Sequence, residues 1–344
     1  MAGTRKIPLD LALQGGGAHG AFTWGVLDRL LEEESIEITA VSGASAGAVN
    51  AAVLASGLAT GGREGARDAL RSFWESLNQA SRESGPMIPL MEAFPLTFRA
   101  ISAWWTSVFG NVALPSSPDM GAAAQRLLRD LLVEHIDFEA LRSDKAAQLY
   151  VSATDARNGK FRIFCNDDIS PDALLASACL PLFFPAVTID GVEYWDGGYS
   201  ANPPIMPLVS DSACDDLLLV TINPTFREDT PHTTSEISNR LNELAFNQTL
   251  VKDLRGLVMV QNEISPLNLG KGLLGKVKRL RLHEIHDEAT LSAMPAQSKM
   301  TPLLEMLLLL HGKGRTAADT WLESDGKQLG KKGTAQLTER YLPD

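Results

Sequence analysis

The sequence has no long apolar run, no paired set of cysteines and no excess of positive charge, and each shortage removes a class of function. Its most apolar stretch, "LLEMLLLLH" from Leu303 to His311, is broken by Glu305 and falls well short of the roughly 20 residues that cross a bilayer. No spanning helix is expected. Cys165, Cys179 and Cys214 are three in number and lack metal-ligand spacing, which argues against a disulfide framework or a structural zinc site and fits a reducing compartment. The formal charge of −11 lacks the basic footprint of a nucleic-acid binder. Basic residues precede the first apolar stretch in "MAGTRKIPLDLALQGGG". That stretch is short, holds Asp10 and ends in glycines instead of a cleavage site, so it reads as a core strand with no signal peptide. The expectation is a cytoplasmic protein, with peripheral contact at the inner membrane face left open.

What is present is an ordinary globular composition of 344 residues, 44% hydrophobic and 21% charged. "KIPLDLALQ" reads as a strand, and after the glycines Phe22, Val26, Leu27, Leu30 and Leu31 recur at helical spacing. The unit repeats as the strand "IEITAVSG" and the small-residue helix "SAGAVNAAVLASG", which Gly57 is expected to close. Further strands are expected at "AQLYVSATDA", "GKFRIFCN", "AVTIDGVEYW" and "DLLLVTINP". Strands alternating with helices predict a mostly parallel sheet covered on both faces. From about residue 233 the pattern changes to long helices. The expected organisation is one α/β domain over 8–224, with a mainly helical C-terminal extension, 225–344, packed on it.

Two loops carry the chemistry. Gly15, Gly17 and Gly20 in "LDLALQGGGAHGAF" fit G-x-G-x-x-G between a strand and a helix, which alone permits a dinucleotide site with Glu37 as a ribose-binding acid. The second unit changes the balance. "GASAG", residues 43–47, is G-x-S-x-G between a strand and a helix, the setting of a nucleophile elbow. Gly43 and Gly47 allow a tight turn, and Ser45 stands at a helix N-terminus that favours developing negative charge. Gly15, Gly16 and Gly17 then read as a concave loop of backbone N–H groups for an oxyanion.

A base is also needed. None of the six histidines, His19, His135, His232, His283, His286 and His311, follows a plausible final strand with an acidic partner set upstream. Asp196 in "EYWDGGYS" is the better candidate: Gly197 and Gly198 bend the chain after it, and Tyr194 and Trp195 can wall off water and raise its basicity. A plain Asp-Gly hairpin turn explains the same letters.

Taken in order, "QGGGAHG", "GASAG", "ASACLPLFFP" and "DGG" resemble the patatin-like phospholipases, closest to their bacterial members, over about residues 8–224. The resemblance implies a three-layer α/β/α fold with a central, mostly parallel sheet. It also implies a Ser–Asp dyad that hydrolyses fatty-acyl esters of phospholipid or other acyl-lipid substrates through an acyl-enzyme, as a phospholipase A or lysophospholipase, without metal or cofactor. By position Ser45 matches the nucleophile, Asp196 the base and Gly15, Gly16 and Gly17 the oxyanion loop, with His19, Gly20, Gly43, Gly47, Gly197 and Gly198 supporting the motifs. One departure stands out. His19 occupies a place where the family often has Arg or Lys, which makes any positive charge there conditional on pH.

Two further segments have double readings. Residues 85–118, rich in Pro, Met and aromatics with Trp104 and Trp105 adjacent, read equally as a lid or interface segment and as a buried helical hairpin. Lys271, Lys276, Lys278, Arg279 and Arg281 form a basic cluster that suits anionic headgroups or a protected edge strand. The run from Leu303 to Leu310 reads as helix packing, and a homo-oligomer is left open. A soluble-ester or thioester hydrolase, a non-catalytic lipid binder and a Rossmann oxidoreductase remain as alternatives.

Overall fold

The computed structural model describes residues 6–83, 118–181, 183–264, 272–294, 298–299 and 302–341. The 85–118 segment, but for Pro118, lies outside them, as does Lys271. β1 (Ile7–Leu13), β2 (Ile36–Gly43), β3 (Gln148–Asp155), β4 (Phe161–Cys165), β5 (Val187–Ile189), β6 (Val192–Asp196), β7 (Asp216–Val220) and β8 (Arg281–Ile285) form one sheet. Its order is β5-β6-β3-β2-β1-β7-β8, with β4 also paired to β3. The pairs from β3 through β2, β1 and β7 to β8 are parallel, and β4, β5 and β6 are attached antiparallel.

Period-2 alternation builds a core on each face. Leu9, Leu11, Leu13, Leu218 and Val220 enter one cluster, while Ala12, Leu217 and Leu219 enter the other. Burial of each such leucine contributes about 1.5–3 kcal/mol. This is the three-layer arrangement expected of strand–helix repeats.

α1 (Gly20–Leu30) and α2 (Ala46–Glu83) follow the first two strands. α2 does not stop at Gly57. Its first segment runs on to a reversal at Gly62 (φ 64°, ψ −152°), and the second returns so closely that a Cβ on Gly57 would lie 2.5 Å from the Ala66 Cα. The neighbouring Gly61-Gly62 pair supplies the break. The stretch "AVTIDGVEYW" is likewise two strands, β5 and β6, joined at Asp190 and Gly191, both at positive φ.

α3 (Pro118–His135), α4 (Pro171–Ser177), α5 (Met206–Ser210) and α6 (Thr234–Glu263) come next. Thr233 and Glu236 close a capping box at the start of α6. Beyond them α7 (Leu273–Arg279) leads into β8, and α8 (Glu288–Ala293), α9 (Leu304–Glu323) and α10 (Leu337–Tyr341) end the described chain. Residues after 224 therefore supply a strand of the central sheet as well as helices. None of the described helices is long and apolar enough to cross a membrane.

α9 lies directly on α1. A Cβ on Gly25 would sit 2.0 Å from the His311 carbonyl oxygen, and one on Gly314 2.0 Å from that of Phe22, so only glycine permits the approach. Polar groups pin the same crossing: burial opposes ionisation of Asp28, but bonds from His311, Arg67 and Arg315 outweigh it and hold the carboxyl below its usual range. Gly314→Val should destabilise the fold by about 1–3 kcal/mol through overpacking, read as a lower urea midpoint with an unchanged slope; wild-type stability would show that the crossing is not tight.

Candidate active site

The pairing of β3 explains how Ser45 and Asp196 meet. β4 occupies one edge of β3 from Tyr150 to Thr154, so β2, paired to Gln148–Val151, and β6, paired to Ala153–Asp155, must share the other. β2 runs with β3 and β6 against it. Their C-terminal ends, Gly43 opposite Val151 and Asp196 opposite Ala153, therefore point at each other along one edge.

After Gly43 the chain turns through Ser45, a non-glycine residue at φ 53°, a backbone conformation that costs energy and recurs at functional turns. Neither flanking glycine has a positive φ. They serve close packing instead: a Cβ on Gly43 would lie 2.4 Å from the Gly47 carbonyl carbon, and one on Gly47 2.1 Å from the Leu13 oxygen. The Ser45 N–H donates to Ser177 Oγ at 2.9 Å, which fixes the turn from the end of α4. Ser177 lies inside "ASACLPLFFP", yet nothing in residue type or spacing marks its role.

Asp196 is fully buried. Gly198 N–H donates to its Oδ1 at 2.7 Å, and its backbone is tied to the Cys179 carbonyl and the Thr154 hydroxyl. Burial pushes the carboxyl up to about 7, against the opposing pull of the Gly198 amide and the adjacent Ser45 hydroxyl. Oδ2 has no hydrogen bond of normal geometry among the described residues. The Ser45 hydroxyl thus lies near enough to favour the carboxylate form without making a hydrogen bond of normal geometry to it.

The walls differ from those expected. Cys179 and Tyr199 face the carboxylate, and burial first and its charge second push each up to about 12. Tyr194 is buried against Phe164 with its hydroxyl on Arg162, and Trp195, on the other face of the strand, is more than a third exposed. Gly197 and Gly198 seal the site by lying against the Ser152 backbone and the Phe246 ring, where no Cβ would fit.

The glycine loop packs onto the elbow, a Cβ on Gly15 falling 2.8 Å from that of Ser45. Gly20, farther along, lies against Ala46 and Trp74. Four amide side chains frame the loop. Asn202 Oδ1 accepts from Gly15 N–H at 2.7 Å, Asn223 Nδ2 donates to Gly15 O at 2.7 Å, and Gln14 accepts from the Ile222 and Asn223 amides while donating to Asn247. The Gly15 donor is therefore occupied. Among the described residues no acceptor takes the amides of Gly16 or Gly17, and Gly17 holds φ 58°.

His19 does not behave as a pH-conditional charge. Burial first and Lys299 second lower its pKa to about 3, so the imidazole is held neutral near neutral pH, with one nitrogen on Ser298 Oγ at 2.7 Å. The basic cluster is also internally paired: Lys276 and Arg279 meet Asp215, Arg281 meets Asp216, and Lys278 reaches the Gln261 carbonyl. The edge-strand reading holds for Arg281 alone, on β8 at one end of the sheet, since Lys276, Lys278 and Arg279 lie on α7. No group of side chains with metal-ligating geometry occurs among the described residues.

A family model described as patatin-like phospholipase matches residues 11–209. Among solved structures the chain is similar to VipD from Legionella pneumophila, with 18% identity, 98% of this chain and 73% of that one covered, and a TM-score of 0.39. It is also similar to the type III effector ExoU, with 18% identity, 98% and 79% covered, and a TM-score of 0.27. A third similar structure is the ExoU–SpcU complex of Pseudomonas aeruginosa, at 17% identity, 98% and 75% covered, and a TM-score of 0.29. No curated protein matches.

The Asp196 environment has a consequence for stability. Its folded pKa, about 7, lies above the ordinary 3.8, so the folded state binds the proton more tightly than the unfolded chain. The resulting destabilisation is absent below about pH 4, grows with pH and is complete above about 7. Asp196→Asn should therefore raise stability at about pH 8, on the order of 2–4 kcal/mol, and bring little change near pH 4; urea unfolding at the two pH values measures the difference.

Proposed function

Because the chain belongs to the patatin-like phospholipase family, we propose that it is a serine hydrolase of lipid acyl esters, with Ser45 as nucleophile and Asp196 as general base. The observation that carries this reading is a buried carboxylate held near neutrality beside a serine on a strained turn. In the ionised state Asp196 Oδ2 takes the Ser45 proton as Oγ attacks the ester carbonyl carbon. The carbonyl oxygen becomes an oxyanion, held by the open amides of Gly16 and Gly17 beside the N-terminus of α2. Collapse of the tetrahedral species expels the alcohol or lysolipid, which takes the proton from Asp196. Water, deprotonated by the same carboxylate, then attacks the acyl carbon, and Asp196 returns the proton to Ser45 Oγ as the fatty acid leaves.

A lipid-phase substrate is supported by the helix that closes the site. α6 places Phe246 on Gly198 and, on its opposite face, leaves Ile237, Leu241 and Leu244 exposed at the i, i+4, i+7 spacing of one stripe. That face suits peripheral contact with a lipid aggregate, and nothing in the chemistry calls for a cofactor.

Fatty-acid release from mixed phospholipid micelles and from a short-chain soluble ester, compared between wild type and Ser45→Ala, tests the reading. Loss of hydrolysis with Ser45→Ala and a preference for micelles are expected; activity that survives Ser45→Ala would overturn it, and a preference for the soluble ester would favour an esterase. Asp196→Asn should cost about 10²- to 10⁴-fold in kcat. Since the carboxylate is the active form, wild-type kcat/KM should fall as pH drops through about 7.

A further inference from the structure

One cation beside the glycine loop has no part in the steps above. Lys299 comes from the chain between α8 and α9, far from the motifs in sequence, and its Nζ donates to Asn223 Oδ1 at 2.6 Å. The other end of that carboxamide donates to the Gly15 oxygen at 2.7 Å. Gly15 C=O and Gly16 N–H belong to one planar trans peptide, so a bond that polarises the carbonyl also strengthens the N–H as a donor. The relay is fixed at both ends. Gln14 Oε1 holds the Asn223 amide at 2.8 Å, the Lys299 carbonyl lies where a Cβ on Gly17 would be 2.2 Å away, and Ser298 Oγ meets His19.

We propose that Lys299 is a positioning residue for the oxyanion loop, its ammonium polarising the Gly15–Gly16 peptide through the Asn223 side chain and orienting Gly16 N–H toward the developing oxyanion. This rests on Ser45 being the nucleophile. Among the described residues the charged groups around Lys299 are Glu243, which favours its protonation, and Arg227, which opposes it; Arg240 is tied to Glu243, and burial holds His19 neutral. Burial brings the ammonium down to about 8, whereas Cys179 and Tyr199 beside the base titrate near 12. Among the described residues facing the loop, Lys299 is thus the one brought to just above neutrality.

The test is kcat, KM and pH profile on a soluble ester for wild type, Lys299→Met, Lys299→Arg, Asn223→Ala and the double variant Lys299→Met/Asn223→Ala, with folding checked by thermal melting and Ser45→Ala as control. Loss of a direct oxyanion donor costs about 10²–10³-fold, so loss of a group acting through one should cost roughly 10–100-fold in kcat with KM little changed. The wild-type alkaline limb near 8 should vanish in Lys299→Met and move to higher pH in Lys299→Arg, and Lys299→Met and Asn223→Ala should combine less than additively. Should Lys299→Met not fold, the wild-type limb and its shift in Lys299→Arg carry the test. An absent limb, one that Lys299 variants do not move, or strict additivity would overturn the proposal while leaving Ser45-dependent hydrolysis intact. Hydrolysis indifferent to Ser45→Ala would instead overturn the reading beneath it.

Discussion

Burial removes the Asp196 carboxylate from water and, among the described residues, leaves it one full hydrogen bond, from the Gly198 amide. An isolated ionised carboxylate in such a place is costly, and proteins relieve the cost by shifting the pKa. Here the shift stops near neutrality, because the Gly198 dipole and the Ser45 hydroxyl recover part of the lost solvation. The surroundings follow from that balance. The side chains at 197 and 198 are absent so that backbone and ring can seal the carboxylate, and the nearby thiol and phenol are held in their neutral forms.

The sheet sets the distance over which this carboxylate can act. β2 and β6 end against each other along one edge of β3, so residues about 150 apart in sequence converge without a long side chain spanning the gap. Packing then refines the placement. Gly43 and Gly47 let α2 start against β1, Ser177 holds the turn, and the amides of Gln14, Asn202, Asn223 and Asn247 keep the glycine loop beside it. A polar frame of this kind is rigid only when its members are satisfied. That explains why the chain just after β1, β6 and β7 contributes, together with α6.

Much of the fold was readable because it rests on periodicity. Alternating and helical patterns marked β1, α1, β2, β3, β4, β7 and the helices α6 and α9, and the glycine spacing drew attention to Ser45 and the loop. Where two elements meet through a short break the pattern was ambiguous: Gly57 looked like a helix end, though it is a contact surface for the returning helix, and Asp190-Gly191 was hidden inside an apolar run. The frame residues left no trace. Isolated Asn, Gln, Ser and Lys have no period, and their roles depend on partners 76 to 279 positions away. His19 shows the limit from the other side, since residue type alone points to a pH-sensitive group and only its burial makes it a neutral one.

The most direct measurement is the titration of Asp196 itself, by carbon-13 resonance of carboxyl-labelled aspartate, with the signal assigned by its loss in Asp196→Asn. A midpoint near 7 is expected for a desolvated carboxylate with one amide donor. A midpoint near the ordinary 3.8 would mean that water or an unseen cation reaches the group, and would contradict its description as a buried base poised beside Ser45.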